Sequence, residues 1–161
     1  MLKRFALATA AVCLAAPVLA QGNPRGEAKA TVAGKAVAID YGRPSLKGRD
    51  MLGQAQVGQA WRMGADAVTS LKTDADLAFG SVNVPKGEYI LTATKVTADQ
   101  WQLNVLSSAP ERTKIADVPL KTSKLEASVE QFTIDLKGEK DKGELKLSWG
   151  TTALETTFTA K

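Results

Sequence analysis

Phe132-Thr133-Ile134-Asp135-Leu136-Lys137 leads into Gly138-Glu139-Lys140-Asp141-Lys142-Gly143 and out again through Glu144-Leu145-Lys146-Leu147-Ser148-Trp149. Apolar and polar residues alternate on both sides of a charged stretch with a glycine at each end. A period of two puts Phe132, Ile134 and Leu136 on one face of an extended chain and Thr133 and Asp135 on the other. Leu145, Leu147 and Trp149 alternate in the same way with Lys146 and Ser148. The pattern predicts an antiparallel hairpin with its tip at 138–143. Leu154, Thr156 and Phe158 continue the rhythm. Three strands near 130–136, 144–149 and 153–159 are therefore expected as a meander, with Trp149 and Phe158 on its core face.

The same period recurs toward the N-terminus. Ala28, Ala30 and Val32 alternate with Lys29 and Thr31, and Val37 and Ile39 share a face within 35–41. Tyr89, Leu91 and Ala93 form another apolar face, as do Trp101, Leu103 and Val105. Pro85-Lys86-Gly87, following Val82–Val84, and Ala98-Asp99-Gln100 are turn signals between strands. There is no long helical stripe, no internal repeat and no low-complexity linker. The fold class expected is all-β: an antiparallel β-sandwich or partly open barrel of about 8–9 short strands.

The N-terminus carries a different message. Met1-Leu2-Lys3-Arg4 is basic, Phe5 to Ala16 is apolar and uncharged, and Pro17-Val18-Leu19-Ala20 offers compact residues at a cleavage site. This is the pattern of a secretory signal peptide over residues 1–20, and the expected location is periplasmic or secreted. The apolar run is too short for a comfortable bilayer span, so no stable membrane span is expected after cleavage. Cys13 follows Val12, which is not the small residue a lipid-acylation site wants, and reads as filler. Residues 21–26, Gln-Gly-Asn-Pro-Arg-Gly, read as a short flexible leader, and 27–161 as a single domain.

Removing the first 20 of the 161 residues leaves 141, enough for one domain with its own core. Cys13 is the one cysteine in the sequence, so the exported domain has no disulfide, thiol nucleophile or thiolate metal site. Histidine is absent altogether, which removes Ser-His and Cys-His catalysis and the usual zinc and copper ligands. No cofactor or metal is expected. The chain holds 21 Lys and Arg against 17 Asp and Glu, and Lys3 and Arg4 leave with the signal. So mild a balance, mixed along the chain, argues against nucleic acid as a partner.

One segment breaks the alternation: Tyr41 to Asp66, YGRPSLKGRDMLGQAQVGQAWRMGAD. A connection this long in a small domain is functional or disordered, and Met51, Leu52 and Trp61 point to anchorage. Gly53 to Trp61 leaves room for a short helical turn. Arg43, Arg49 and Arg62, with Lys47 nearby, can converge on an anion, because guanidinium forks bind carboxylate and phosphate bidentately. Trp61 can offer a stacking face, and Tyr41 and Asp66 bound the segment. These seven residues are the candidate ligand site. The competing reading is structural, with the arginines paired to Asp40, Asp50 or Asp66. A third reading takes two of Asp66, Asp74 and Asp76 as an acid/base pair of the glycosidase kind, against their being solvated turn residues. No Ser-x-x-Lys or Gly-x-Ser-x-Gly motif accompanies Ser45, so no catalytic residue is assigned.

Tyr41-Gly42-Arg43-Pro44, Lys47-Gly48-Arg49, Trp61-Arg62-Met63-Gly64-Ala65-Asp66 with Thr69, and Pro85-Lys86-Gly87-Glu88-Tyr89 together resemble the DUF2911 family of exported bacterial proteins. The likeness runs from about Ala28 to Phe158 along the strand rhythm. It implies a β-rich fold and an exported location, and no established activity. The leading expectation is a non-enzymatic binding protein whose partner is a polar or anionic molecule: a saccharide, an envelope polymer or another protein. The alternatives are a carboxylate-dependent glycan hydrolase and a purely structural envelope protein.

Overall fold

The computed structural model of the protein describes residues 22–161. The expected signal peptide, residues 1–20, lies outside the described residues. Ten strands follow one another: β1 (Arg25–Val32), β2 (Lys35–Gly42), β3 (Ala60–Trp61), β4 (Thr69–Thr73), β5 (Leu77–Phe79), β6 (Val82–Val84), β7 (Gly87–Lys95), β8 (Trp101–Ser107), β9 (Lys114–Glu139) and β10 (Lys142–Ala160). They form one antiparallel sheet in the order β1-β2-β4-β7-β8-β9-β10-β5-β6, with β3 beside β7. The sheet is not closed into a barrel. The all-β class is the one expected. β1 begins at Arg25, inside the stretch read as a leader.

Two strands are far longer than the alternation suggested. β9 runs 26 residues and β10 runs 19. The first part of β9 pairs with β8, and its second part pairs with β10. The strands expected at 144–149 and 153–159 are a single strand, β10. It bends at Gly150, whose φ of 62° only glycine adopts without strain. The ladder register shifts on either side of that glycine, so the chain changes direction without leaving the sheet.

The sheet folds over one shared core. β1 packs against β9 although the two are not ladder partners. Val37, Ile39, Leu91, Leu103 and Val105 come from one half; Phe132, Ile134, Leu145, Leu147, Trp149 and Phe158 come from the other. All are buried, as the alternation required. Each such side chain contributes about 1.5–3 kcal/mol of apolar transfer.

The glycines bounding the hairpin tip do a different job from the one read from the sequence. The turn itself is Lys140–Asp141, with Lys140 at φ 55°. Gly138 and Gly143 are ladder partners inside the strands. A Cβ on Gly138 would strike the Thr31 carbonyl, and one on Gly143 the Phe158 ring. They are glycine because β1 and the end of β10 pass so close.

No helix occurs among the described residues. The segment 53–61 holds turns at its start and at 57–58 and ends in β3, with the Gln54 N–H donating to the Asp50 carbonyl (3.1 Å) and Ala55 to Leu52 (3.4 Å). Gly53 and Gly58 each disfavour a helix by about 1 kcal/mol, and Gly58 sits at φ 82°.

Candidate functional site

The end of β2 and the residues after it lie along the edge of β9 that β10 leaves free. The Tyr41 hydroxyl donates to the Ile134 carbonyl (3.3 Å) and accepts from the Ile134 N–H (3.0 Å). Arg43 donates through Nε to the Phe132 carbonyl (3.3 Å) and through Nη2 to Thr133 Oγ1 (3.2 Å). The Phe132 N–H donates to the Pro44 carbonyl (2.9 Å), and the Leu46 N–H to Glu130 (2.9 Å). Ser45 and Gln131 form an isolated antiparallel bridge. Buried backbone groups must find partners, and here side chains and a short stretch of irregular chain stand in for a missing strand. Tyr41 and Arg43 are thus committed to the fold.

A second contact locks this seam. Gly42 lies against the backbone of Ala65, leaving no room for a Cβ, and Gly64, at φ 142°, lies against Gly42. Met63 (φ 53°) and Asp66 (φ 63°), on either side of the passage, are both in the left-handed region. Met63 is fully buried, and its carbonyl accepts the Thr69 hydroxyl at 2.6 Å. The YGR and MGAD pieces of the sequence are two sides of one backbone crossing.

The remaining candidates do not converge. Lys47 is exposed in a turn at φ 50°, its N–H donating to Glu130 Oε1 (3.0 Å). Arg49 donates through Nε to the Leu46 carbonyl (3.3 Å), beside a depression it shares with Asp50 and Glu130. Arg62 donates to the Asp66 carbonyl oxygen. The Asp66 carboxylate accepts the Asn23 N–H (2.7 Å) and Nδ2 (3.3 Å). Asp40 pairs with Arg25, and Asp50 accepts the Gly53 N–H (2.9 Å). The expected pairings of Arg49 and Arg62 with Asp40, Asp50 or Asp66 carboxylates are replaced by bonds to main-chain carbonyls.

β4 separates Asp66 from the other two carboxylates. Asp66 precedes it and Asp74 and Asp76 follow it. A five-residue strand at about 3.3 Å per residue is roughly 16 Å long, which argues against pairing Asp66 with Asp74 or Asp76 at the 5 to 9.5 Å or so of a glycosidase. Asp76 accepts the Lys86 N–H at 2.8 Å, as a turn residue does. No cluster of metal-ligating side chains occurs among the described residues.

What the aperiodic segment does build is a cleft of about 470 Å³ lined by Met51, Gln54, Gln56, Gln59, Trp61 and Arg62, with Ala55 and Ala60 between them. Backbone bonds hold its wall: Gly58 N–H to the Lys95 carbonyl (2.8 Å) and Gln59 N–H to Gln56 (3.3 Å). Trp61 is fixed by β3, which pairs Trp61 with Ala93 of β7. Its ring stacks on Trp149 (5.8 Å, 19° between planes) and meets Phe132 and Trp101 edge-on at 5.0 and 6.2 Å. Trp101 and Trp149 are buried core residues, whereas Trp61 is only half-buried and reaches the cleft. Val57 and Val96, two of the three exposed large apolar residues among those described, flank the Gly58–Lys95 bond beside it. Of the seven candidates, Trp61 and Arg62 share this cleft. The three glutamines were not singled out from the sequence; their i, i+2, i+5 spacing has no regular period to flag them.

Among the described residues two titrating groups are shifted, both away from the cleft. Burial raises the Tyr89 phenol, with Asp76 adding to it; its hydroxyl donates to the Pro85 carbonyl at 2.7 Å. Burial also pushes the Asp117 carboxyl up, but hydrogen bonds from Lys114 and Asn104 outweigh it and bring the group below its ordinary value.

No curated protein and no solved structure matches the chain. One family model does, over residues 23–158, and it covers the seam, the backbone crossing and the cleft alike. The protein belongs to that family, DUF2911, described as a protein of unknown function.

Proposed function

We propose that this is an exported, non-catalytic binding protein of the periplasm or the extracellular space, and that its contact surface is the cleft between the 51–56 turns and β3. The observation that carries the reading is Trp61. Its ring is braced by three aromatic neighbours, yet it remains partly exposed at a concave surface with amide side chains around it. Bracing removes the entropy cost of ordering a large side chain on binding, and tryptophan is a residue enriched where binding energy concentrates. The cleft is assigned no acid/base pair, because its lining carries no aspartate, glutamate or histidine. The basic signal-like N-terminus supports the location.

A thermal-shift screen of the mature protein against sugars, phosphates, carboxylates and peptides tests the reading. A true ligand raises the melting temperature and shields Trp61 from iodide quenching, since Trp101 and Trp149 are already buried. A ligand that raises the melting temperature and leaves Trp61 open to quencher would place the contact surface elsewhere. A screen in which no class of ligand raises the melting temperature would leave the protein a structural one.

A further inference from the structure

We infer that the cleft takes an uncharged saccharide, an inference that rests on the cleft being the binding surface. The lining decides between a sugar and an anion. Gln54, Gln56 and Gln59 present primary amides, each with two N–H donors and a carbonyl acceptor. A sugar hydroxyl donates and accepts at once, so an amide matches it on both counts. A carboxylate or phosphate only accepts, and half of each amide would be wasted on it. The cleft also lacks the converging cations an anion needs. Arg62 is the one charged residue in the lining, and its guanidinium already donates to the Asp66 carbonyl. Arg49 lines a separate depression, in the company of Asp50 and Glu130, whose carboxylates repel an anion.

The apolar part of the wall fits the same ligand. Trp61 and Met51, with Ala55 and Ala60, offer a surface for the C–H face of a pyranose ring. At about 470 Å³ the cleft falls within the range of roughly 300–1,000 Å³ typical of small-molecule sites. The three glutamines are exposed and their backbone is held by main-chain bonds, Gln54 to Asp50 and Gln59 to Gln56. Their side chains can be changed without disturbing the segment.

The test is titration of the mature protein with neutral cello-, malto- and chito-oligosaccharides, alongside oligogalacturonate and inorganic phosphate. At least one neutral oligosaccharide should raise the melting temperature and protect Trp61 from iodide. Gln54→Ala and Gln59→Ala should each weaken that binding about 3- to 10-fold with an unchanged melting temperature for the free protein. If oligogalacturonate or phosphate protects Trp61 and no neutral sugar does, the saccharide inference falls and the cleft remains the binding surface. If a neutral sugar binds with neither protection of Trp61 nor sensitivity to the glutamines, both fall. Silence of the whole neutral panel overturns the saccharide inference, and a peptide from the wider screen that then protects Trp61 keeps the surface.

Discussion

The hydroxyl of Tyr41 satisfies both backbone groups of Ile134, a residue 93 positions away in the chain. One side chain thus does for the free edge of β9 what a neighbouring strand does elsewhere. Tyr41 is buried, and Phe132 packs edge-on to its ring at 5.6 Å. Tyr41→Phe keeps the ring and leaves two buried polar groups without a partner. The expected cost is about 1–3 kcal/mol, read as a lower denaturant midpoint with an unchanged slope. A midpoint equal to the wild type would mean water replaces the hydroxyl.

Gly42→Ala should be worse than a typical surface change. The new methyl would overlap the Ala65 backbone, which cannot rotate aside as a side chain can. Overpacking of this kind costs about 1–3 kcal/mol or more. Gly48→Ala is the control: nothing lies near its Cβ, and its penalty comes from its φ of 77° alone. Paired melting curves should rank Gly42→Ala as the more damaging; the reverse order would refute the crossing.

The arginines of the aperiodic segment should separate by stability. Arg43 is half-buried with two bonds to β9, so Arg43→Ala is expected to lose about 1–3 kcal/mol. Arg62 is exposed and holds one main-chain carbonyl; Arg62→Ala should lose less than about 1 kcal/mol. Urea unfolding of both variants is the measurement. Equal losses would show that Arg62 is a structural residue of the same rank.

Asp117 ties the protein's stability to pH. Its folded carboxyl titrates below its ordinary value, so the native state holds the charged form better than the unfolded chain does. The stabilisation is present above the unfolded value and is lost as pH falls through the folded one. The network is Lys114 Nζ to Asp117 (2.9 Å), Asn104 Nδ2 to Asp117 (2.8 Å), and the Thr94 hydroxyl to Asn104 (2.7 Å). Asp117→Asn should melt below the wild type near about pH 7, and the gap should close by about pH 2. A gap that is the same at both ends would assign the loss to packing.

The strands that the sequence revealed are those whose inward residues are aliphatic or aromatic. β4 escaped notice because two of its three buried positions are Thr69 and Thr73, which look polar until their hydroxyls are seen bonded to the Met63 and Ala75 carbonyls. The first part of β9 was hidden by Ile115, exposed among buried Ala116, Val118 and Leu120, and by Pro119, which usually signals the end of a strand. Tyr41 and Arg43 stand in the aperiodic glycine-rich chain that marks either function or close approach, and the structure gives them bonds to β9. Only coordinates could tell which, because the groups they serve are the backbone atoms of Phe132 and Ile134, and backbone is the same in every sequence. Trp61 was legible by its chemistry; the glutamines beside it were not, since nothing in their spacing assigns them one face.

The continuous strand β9 also sets an order of events. Synthesis delivers β1 to β8 first, and through that interval the apolar faces of Val37, Ile39 and Leu91 have no opposite half. The partner arrives only when the last third of the polypeptide does, as one hairpin that fills the core and supplies the edge awaiting Tyr41 and Arg43. Ladders between distant segments form slowly. Until that hairpin forms, the N-terminal strands expose the apolar faces it will cover, and its closing turn is Lys140–Asp141.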